Sequence, residues 1–198
     1  MGRPKRKIDP SDSKKLTPFL GPLQAIQNLL TKYGNKGVVI GGIAASLLGT
    51  PRFTADLDAV FLVSFEDLPS FLSEAMKEGI EPRIQDPIGF ARKSRVLLLR
   101  HTTSNIDIDI SLGILPFEIE MVHRSTPVVL GSLQLQIPTP EDLIIMKAVA
   151  HRPKDLDDIE AIAASHPELD KQRIRNWVEQ FGEALELTNL WTMVSERL

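Results

Sequence analysis

The sequence of 198 residues contains no cysteine, which excludes disulfide scaffolds, thiol nucleophiles and cysteine-ligated zinc sites. No uninterrupted apolar run approaches the ~20 residues that span a bilayer, and no apolar segment follows the first basic residues as it would in a secretory signal. These absences predict a soluble cytoplasmic protein with no membrane partner. Because 42% of the residues are hydrophobic and 25% are charged, the composition is that of an ordinary globular chain and excludes wholesale disorder.

Several common catalytic signatures are absent as well. The sequence has no GxxxxGK[ST] phosphate loop, and Gly41-Gly42-Ile43-Ala44 does not match the GxGxxG turn of dinucleotide-binding proteins. The four histidines form no HExxH pair, and no GxSxG elbow is present. The sequence therefore gives no support to a P-loop enzyme, a zinc protease or a serine hydrolase.

Charge is distributed unevenly along the chain. Residues 1–15 carry six Lys or Arg and two Asp, a net charge of +4, whereas the remaining residues sum to −7 within the overall net charge of −3. Such an asymmetry can indicate a polyanion partner. A solvated tail is the other interpretation, and the sequence leaves both open.

Hydrophobic periodicity predicts an α/β (α+β) core followed by a helical C-terminal part. The predicted helices cover 18–33, 43–48, 67–78, 140–150, 154–165, 170–181 and 183–196. The predicted strands cover 38–40, 57–63, 95–100 and 105–112, with a hairpin over 128–137 and a Gly- and Pro-rich loop over 79–91. Thr139 can cap a helix that begins at Pro140, which divides the chain into a basic flexible tail (1–15), an α/β core (16–138) and a helical part (139–198).

The strongest chemical signal is the pair Asp56 and Asp58 at the start of a predicted strand. Residues two apart on a strand point to the same face, and carboxylates so close repel each other unless a cation lies between them. Mg²⁺ is the usual cation, because it binds carboxylate and phosphate oxygens. An acidic strand end on the surface is the plain alternative, since DxD alone is a weak signal.

The surroundings of this pair favour phosphate chemistry. Gly41-Gly42 lies at a predicted strand–helix junction, where the backbone can approach an anion. On a separate predicted strand, Asp107 and Asp109 share a face that alternates with isoleucines. Phosphoryl transfer uses such a set, because convergent carboxylates hold two metal ions that bind the nucleophile and the leaving group.

The segment from Gly41 to Asp58, GGIAASLLGTPRFTADLD, resembles the first motif of the polymerase-β-like nucleotidyltransferases. Thirteen residues separate Gly42 from Asp56, within the usual spread of that family. The Arg-x-Thr-x-Asp-Leu-Asp form is similar to the AbiEii branch, which includes MenT-type toxins. Three later segments are also similar to that branch: DISLGILPFE (109–118), PTPEDLIIMK (138–147) and AHRPKDLDDI (150–159). Gly42 departs from the pattern, because many members have a serine there whose hydroxyl can contact phosphate.

The resemblance implies a nucleotidyltransferase-type mixed sheet flanked by helices, in which three aspartates bind two Mg²⁺ ions. These are Asp56, Asp58 and a third that the later segments place at Asp109, with Asp107 as the alternative. Alternation puts 107 and 109 on one face, so spacing alone does not decide between them.

The resemblance also assigns a nucleotide-binding set. Its members are Gly41, Gly42, Arg52, Thr54, Lys147, Lys154 and Asp155. Lys147 would bind the nucleoside triphosphate, or it is a solvated helix lysine. Arg52 either holds phosphate or fixes the acidic loop by a salt bridge. Lys154 and Asp155 either border the site or form a helix-surface ion pair, and Asp157, Asp158 and Glu160 are interpreted as solvating their helix.

The leading functional hypothesis is a Mg²⁺-dependent transfer of a nucleoside monophosphate from a nucleoside triphosphate to an acceptor hydroxyl, with release of pyrophosphate. A toxin that acts on the 3′ end of tRNA, held in check by a cognate antitoxin, is the specific form that the resemblance suggests. The alternatives are a small-molecule or protein acceptor, and a non-catalytic nucleotide- or partner-binding member of the fold.

Overall fold

Five strands form one mixed sheet in this computed structural model, which describes residues 16–198. The strands are β1 (Gly37–Ile40), β2 (Asp56–Phe61), β3 (Ile80–Pro82), β4 (Val96–His101) and β5 (Ile106–Leu112). Their order across the sheet is β1-β2-β5-β4-β3. The β2–β5 pair is parallel and the other pairs are antiparallel. The predicted basic tail, 1–15, lies outside the described residues.

The two central strands bring the acidic residues together. Ile108 and Ile110 of β5 are fully buried, whereas Asp107 and Asp109 lie on the opposite face. Parallel pairing aligns Asp56 with Asp107 and Asp58 with Asp109. Side chains at aligned positions of neighbouring strands point to the same face, so the sheet gathers carboxylates from two distant segments.

The helices flank this sheet and continue beyond it. They are α1 (Leu20–Lys32, preceded by a 3₁₀ turn at Thr17–Phe19), α2 (Gly41–Leu48), α3 (Leu68–Lys77), α4 (Pro87–Ser94), α5 (Pro116–Arg124), α6 (Pro140–Ala150), α7 (Pro153–Ser165), α8 (Lys171–Ala184) and α9 (Leu190–Ser195). Between α5 and α6 lies the hairpin β6 (Thr126–Leu130) and β7 (Leu133–Ile137). The fold class predicted from the sequence, an α/β core with a helical C-terminal part, is confirmed.

The C-terminal helices share the core of the sheet domain. One apolar cluster includes Ile110 of β5 together with Ile144, Ile159 and Ile174 of α6, α7 and α8. Helix α2 packs against both α6 and α7. The division at residue 138 stays a prediction about domain organisation. Helices α6 and α7, which follow it, pack against α2, and α2 in turn packs against the acidic strand β2.

The prediction of a loop over 79–91 is wrong, because this segment contains β3 and the start of α4. Pro82 ends the edge strand β3, where a missing N–H is tolerated. Asp86 caps α4 by accepting a hydrogen bond from the N–H of Gly89, and Pro87 occupies the first turn. Glycine and proline here mark the ends of elements and not a continuous loop.

One predicted helix is wrong in its first part, and one helix of the structure was not predicted. The last predicted helix, 183–196, is wrong over its first part, since α8 extends to Ala184 and α9 begins only at Leu190. Helix α5 is absent from the predicted elements. It begins at Pro116, and the Glu118 carboxylate accepts hydrogen bonds from the backbone N–H groups of Ile114 and Leu115, both at 2.9 Å.

Within residues 16–198, no helix is long and apolar enough to cross a membrane.

Candidate active site

A cavity of about 440 Å³ opens where the end of β1 faces helix α6 and the start of α7. Of the ten predicted site residues, all except Asp155 line it: Gly41, Gly42, Arg52, Thr54, Asp56, Asp58, Asp109, Lys147 and Lys154. Asp155 is fully buried and contacts Lys147 and Arg152. Segments that are far apart in the sequence therefore meet at one cavity.

The glycines at the start of α2 allow the backbone to lie against the acidic strand. Gly41 has φ +65°, and a Cβ there would overlap the Asp58 carboxylate, lying 2.7 Å from its Cγ. A Cβ at Gly42 would lie 2.6 Å from Thr54 Oγ1. Helix α2 thus presents its N-terminus next to Asp58, and backbone N–H groups at such a terminus are suited to bind phosphate oxygens.

Asp56 and Asp58 differ in their surroundings. The Thr54 hydroxyl donates a hydrogen bond to Asp56 Oδ1 at 3.0 Å and holds that carboxylate in place. Burial raises the pKa of Asp58 to about 6, with further upward contributions from the charges of Asp56 and Asp109. Arg152 and Lys147 oppose this shift only in part. The charges of Asp56 and Asp109 thus oppose ionisation of Asp58, and a cation bound between these carboxylates would relieve the repulsion.

Asp107 and Asp109, the two candidates for the third carboxylate, differ in their ion-pair partners. Asp107 has both oxygens engaged, with Arg100 Nε 2.6 Å from Oδ1 and Arg83 Nη1 2.7 Å from Oδ2. The hydrogen bond from Arg100 is the main reason that the pKa of Asp107 is lowered. Asp109 is paired through Oδ1 with Arg83, yet burial raises its pKa overall. Asp109 lines the cavity beside Asp58, whereas Asp107 is not part of its lining.

Lys147 lies in a buried ion-pair cluster on the helix side of the cavity. It is 4% exposed, and its Nζ lies 3.0 Å from Asp155 Oδ1 and 2.6 Å from Asp158 Oδ2. The alternative of a solvated helix lysine is therefore wrong. The interpretation of Asp158 as a solvating residue is also wrong, because it is buried and accepts hydrogen bonds from Arg52 Nε and Nη2 at 2.6 and 2.8 Å. Packing of α7 against α2 and α6 encloses this face.

Hydrogen bonds keep the two buried carboxylates of this cluster ionised. Burial raises the pKa of Asp158, but the bonds from Arg52 and Lys147 more than offset it, and the net pKa is lowered. The same balance, with Arg152 and Lys147 as donors, lowers the pKa of Asp155. Three cations surround these two carboxylates, so the cluster carries one net positive charge towards the cavity.

Sequence reasoning missed Arg152 and Asp158 as members of the site. Arg152 lines the cavity and contacts Asp155 through Nε at 2.6 Å. The signal in the sequence is the i, i+3 spacing of Asp155 and Asp158, which places both on one helix face. Of the alternatives for Arg52, the salt bridge is observed, although its side chain also lines the cavity.

With this geometry in place, comparison with known proteins identifies the family. Residues 20–190 match the model of a family described as nucleotidyl transferase of unknown function (DUF2204). The chain belongs to this nucleotidyltransferase family. None of the functionally curated proteins matches the chain in sequence. The family match supports the nucleotidyltransferase superfamily inferred from Gly41-Gly42 and the aspartates, whereas the finer AbiEii/MenT-type assignment stays a prediction.

Solved structures give a likeness in fold. The antibiotic-resistance factor ANT(2'')-Ia is similar over 85% of this chain and 95% of its own, with 14% sequence identity and a TM-score of 0.55. A nucleotidyltransferase-like protein from Paracoccidioides brasiliensis shows 16% identity and a TM-score of 0.48 over 94% of each chain. The Megavirus polyadenylate synthase shows 9% identity and a TM-score of 0.47, over 85% of this chain and 40% of its own. The first of these likenesses supports the nucleotidyltransferase fold and nothing finer.

The donor chemistry of this nucleotidyltransferase site fits a divalent cation. Carboxylate oxygens from Asp56, Asp58 and Asp109 are the ligands that Mg²⁺ prefers, and the raised pKa of Asp58 reflects burial together with the negative charge of its neighbours. Within residues 16–198, no group of three or more His, Cys, Asp or Glu side chains is already arranged to hold a metal ion. Arg83 is paired with Asp109 and so occupies part of this donor set.

We expect Lys147→Ala to lower the free energy of unfolding by about 3 kcal/mol, because it leaves two buried carboxylates with less compensating charge. The matched control is Lys154→Ala, an exposed lysine at the same cavity, which should change stability by less than about 0.5 kcal/mol. Urea unfolding followed by circular dichroism measures both. Equal, small changes in the two variants would contradict a structural role for Lys147.

Proposed function

We propose that this chain transfers a nucleoside monophosphate from a nucleoside triphosphate to an acceptor hydroxyl and releases pyrophosphate, with two Mg²⁺ ions held by Asp56, Asp58 and Asp109. The observation that carries the proposal is the convergence of a glycine turn at a helix N-terminus with carboxylates of two parallel strands in one cavity. Membership of a nucleotidyltransferase family supports it.

Each residue at the cavity has a proposed role that follows from its position. Backbone N–H groups at Gly41 and Gly42 bind triphosphate oxygens, since they begin α2 beside Asp58. Arg52 and Lys154 line the same cavity and supply positive charge to the leaving pyrophosphate. Lys147 Nζ is paired with Asp155 and Asp158. Lys147 therefore attracts the triphosphate through the net positive charge of this cluster as well as through its own Nζ.

Nucleotide transfer exchanges one oxygen–phosphorus bond for another. An oxygen–phosphorus bond forms between the acceptor hydroxyl and the α-phosphorus, and the bond from that phosphorus to the bridging oxygen of the pyrophosphate breaks. Asp109 receives the proton of the attacking hydroxyl. Bound Mg²⁺ would supply Lewis-acid activation of that hydroxyl and charge stabilisation of the leaving group.

For the acceptor we propose RNA, and tRNA in the toxin form of the hypothesis, acting in the cytoplasm under the control of an antitoxin protein. Two features support a nucleic acid. Residues 1–15, which lie outside the described residues, carry a net charge of +4 and suit sequence-independent phosphate contacts. Phe53 lies between two cavity-lining residues and is 87% exposed, which offers a nucleobase a stacking surface.

The test is incubation of the full chain with each labelled nucleoside triphosphate, Mg²⁺ and total RNA. We expect label in RNA, with transfer that weakens steeply as salt rises. Phe53→Ala should raise the KM for RNA about tenfold, because one base stack is worth about 1–3 kcal/mol. Label on small molecules or proteins in a cell extract would replace the RNA acceptor, and binding of triphosphate without product would replace catalysis with a binding role.

A further inference from the structure

Two arginines, Arg83 and Arg100, form ion pairs with the aspartates of β5. Arg83 follows β3, and its backbone N–H donates to the Leu98 carbonyl at 3.1 Å. Its guanidinium bridges two carboxylates, with Nη1 2.7 Å from Asp107 Oδ2 and Nη2 paired with Asp109 Oδ1. Arg83 Nε is buried and has no hydrogen-bond partner among residues 16–198. The guanidinium is thus committed to this bridge through its two terminal nitrogens.

Asp107 is paired with two arginines, whereas Asp109 is paired with one. Asp107 has an arginine on each oxygen, because Arg100 Nε lies 2.6 Å from its Oδ1. Asp109 is bound through one oxygen only by the arginines of this face. Its Cα is aligned with that of Asp58 in the parallel pair, and it reaches the cavity. Arg83 therefore orients the Asp109 carboxylate and occupies one of its two oxygens.

We infer that Arg83 is a positioning residue that fixes the orientation of Asp109 through its bridge to Asp107 and that competes with a divalent cation for the Asp109 carboxylate. The inference rests on the proposed function, in which Asp109 is a metal ligand and proton acceptor. Removing Arg83 has two consequences of opposite sign. The cavity loses a positive charge and binds a divalent cation more tightly, while Asp109 loses its fixed orientation and transfer slows.

Arg83→Gln is expected to tighten Mn²⁺ binding at least about tenfold, because a unit charge within a few ångströms of a divalent cation repels it by that much even when it is screened as in bulk water. The measurement is titration of the full chain with Mn²⁺ alone, followed by electron paramagnetic resonance. Arg100→Gln is the matched control. It removes a charge from the same face but contacts Asp107 and not Asp109. Its side chain is 45% exposed, so solvent screens its charge and the effect should stay below about threefold.

Turnover gives the second readout. We expect Arg83→Gln to lower kcat about tenfold with little change in the KM for triphosphate, since loss of orientation acts on the reacting geometry. Arg83→Lys keeps the charge but cannot bridge two carboxylates with a planar fork, so Mn²⁺ affinity should return to the wild-type value while kcat stays low. Circular dichroism of both variants checks folding. If Arg83→Gln does not fold, a wild-type kcat in folded Arg83→Lys would overturn the positioning role.

The outcomes separate the two proposals. If wild type binds Mn²⁺ and transfers nucleotide, but Arg83→Gln matches Arg100→Gln in Mn²⁺ affinity, the inference on Arg83 is overturned and the proposed function stands. Weaker Mn²⁺ binding by Arg83→Gln also overturns it. If the wild-type chain binds no Mn²⁺ at all, both the inference and the proposed metal-dependent function fail.

Discussion

Replacing Asp58 by asparagine is expected to lower kcat for nucleotide transfer about a thousandfold, equivalent to about 4 kcal/mol of transition-state stabilisation. The asparagine side chain has the same shape but no charge, so the variant would no longer attract a divalent cation at the point where α2 meets β2. The triphosphate would lose the charge compensation that its reaction requires. Single-turnover kinetics with labelled triphosphate at saturating Mg²⁺ measures this effect.

The same substitution is expected to stabilise the metal-free protein. The folded-state pKa of Asp58 lies at about 6, above its ordinary value of 3.8, so the folded state binds more protons than the unfolded state between these values and loses stability as pH rises through them. Above pH 6 the charged carboxylate carries the full penalty, and Asp58→Asn should gain up to about 3 kcal/mol in the presence of EDTA. The gain should disappear below pH 4.

The control is Asp157→Asn, an exposed aspartate on α7. It should change neither kcat nor the free energy of unfolding by a measurable amount, because exposed charges contribute little. Loss of activity in Asp58→Asn together with loss of stability would point to a misfolded variant and contradict the electrostatic explanation. Retained activity would remove Asp58 from the metal site.

The carboxylate pair of β2 could be predicted from the sequence because its causes are local. Alternation along a strand places Asp56 and Asp58 on one face, and two glycines before a short apolar helix mark a close backbone approach. Structure adds what no local pattern contains, the pairing of β2 with β5 in parallel register. That register, and the two arginines on Asp107, distinguish Asp109 from Asp107, which spacing alone could not do.

The ion-pair cluster could not be predicted, for a physical reason. Asp155 and Asp158 have the spacing of an ordinary solvated face of α7, Lys147 lies on the preceding helix α6, and charged residues are mostly exposed. Their burial results from α7 packing on α6 and on α2. The contact with α2 joins segments that are about a hundred residues apart, as in the Arg52–Asp158 pair. Local charge pattern carries no information on which face another helix will cover.

Replacing Gly41 by alanine is expected both to destabilise the protein and to remove about 99% of its transfer activity. The first cause is backbone strain, because Gly41 has φ +65°, a conformation that costs an L-residue about 1–2 kcal/mol. The second is steric, because the new Cβ would overlap the Asp58 carboxylate. Forcing that side chain aside adds about 1–3 kcal/mol and misplaces a metal ligand, and a displacement of about 1 Å near the reacting groups can lower the rate a hundredfold.

Gly34→Ala separates these two causes. Gly34 has φ +64°, nearly that of Gly41, but a Cβ there would meet no atom of the described residues within 4 Å. It should therefore show the strain alone, a loss of about 1 kcal/mol in the free energy of unfolding with kcat unchanged. Urea unfolding and transfer kinetics of both variants give the comparison. If Gly34→Ala and Gly41→Ala lose the same stability and Gly41→Ala keeps its activity, the contact between the start of α2 and Asp58 is not what the site depends on.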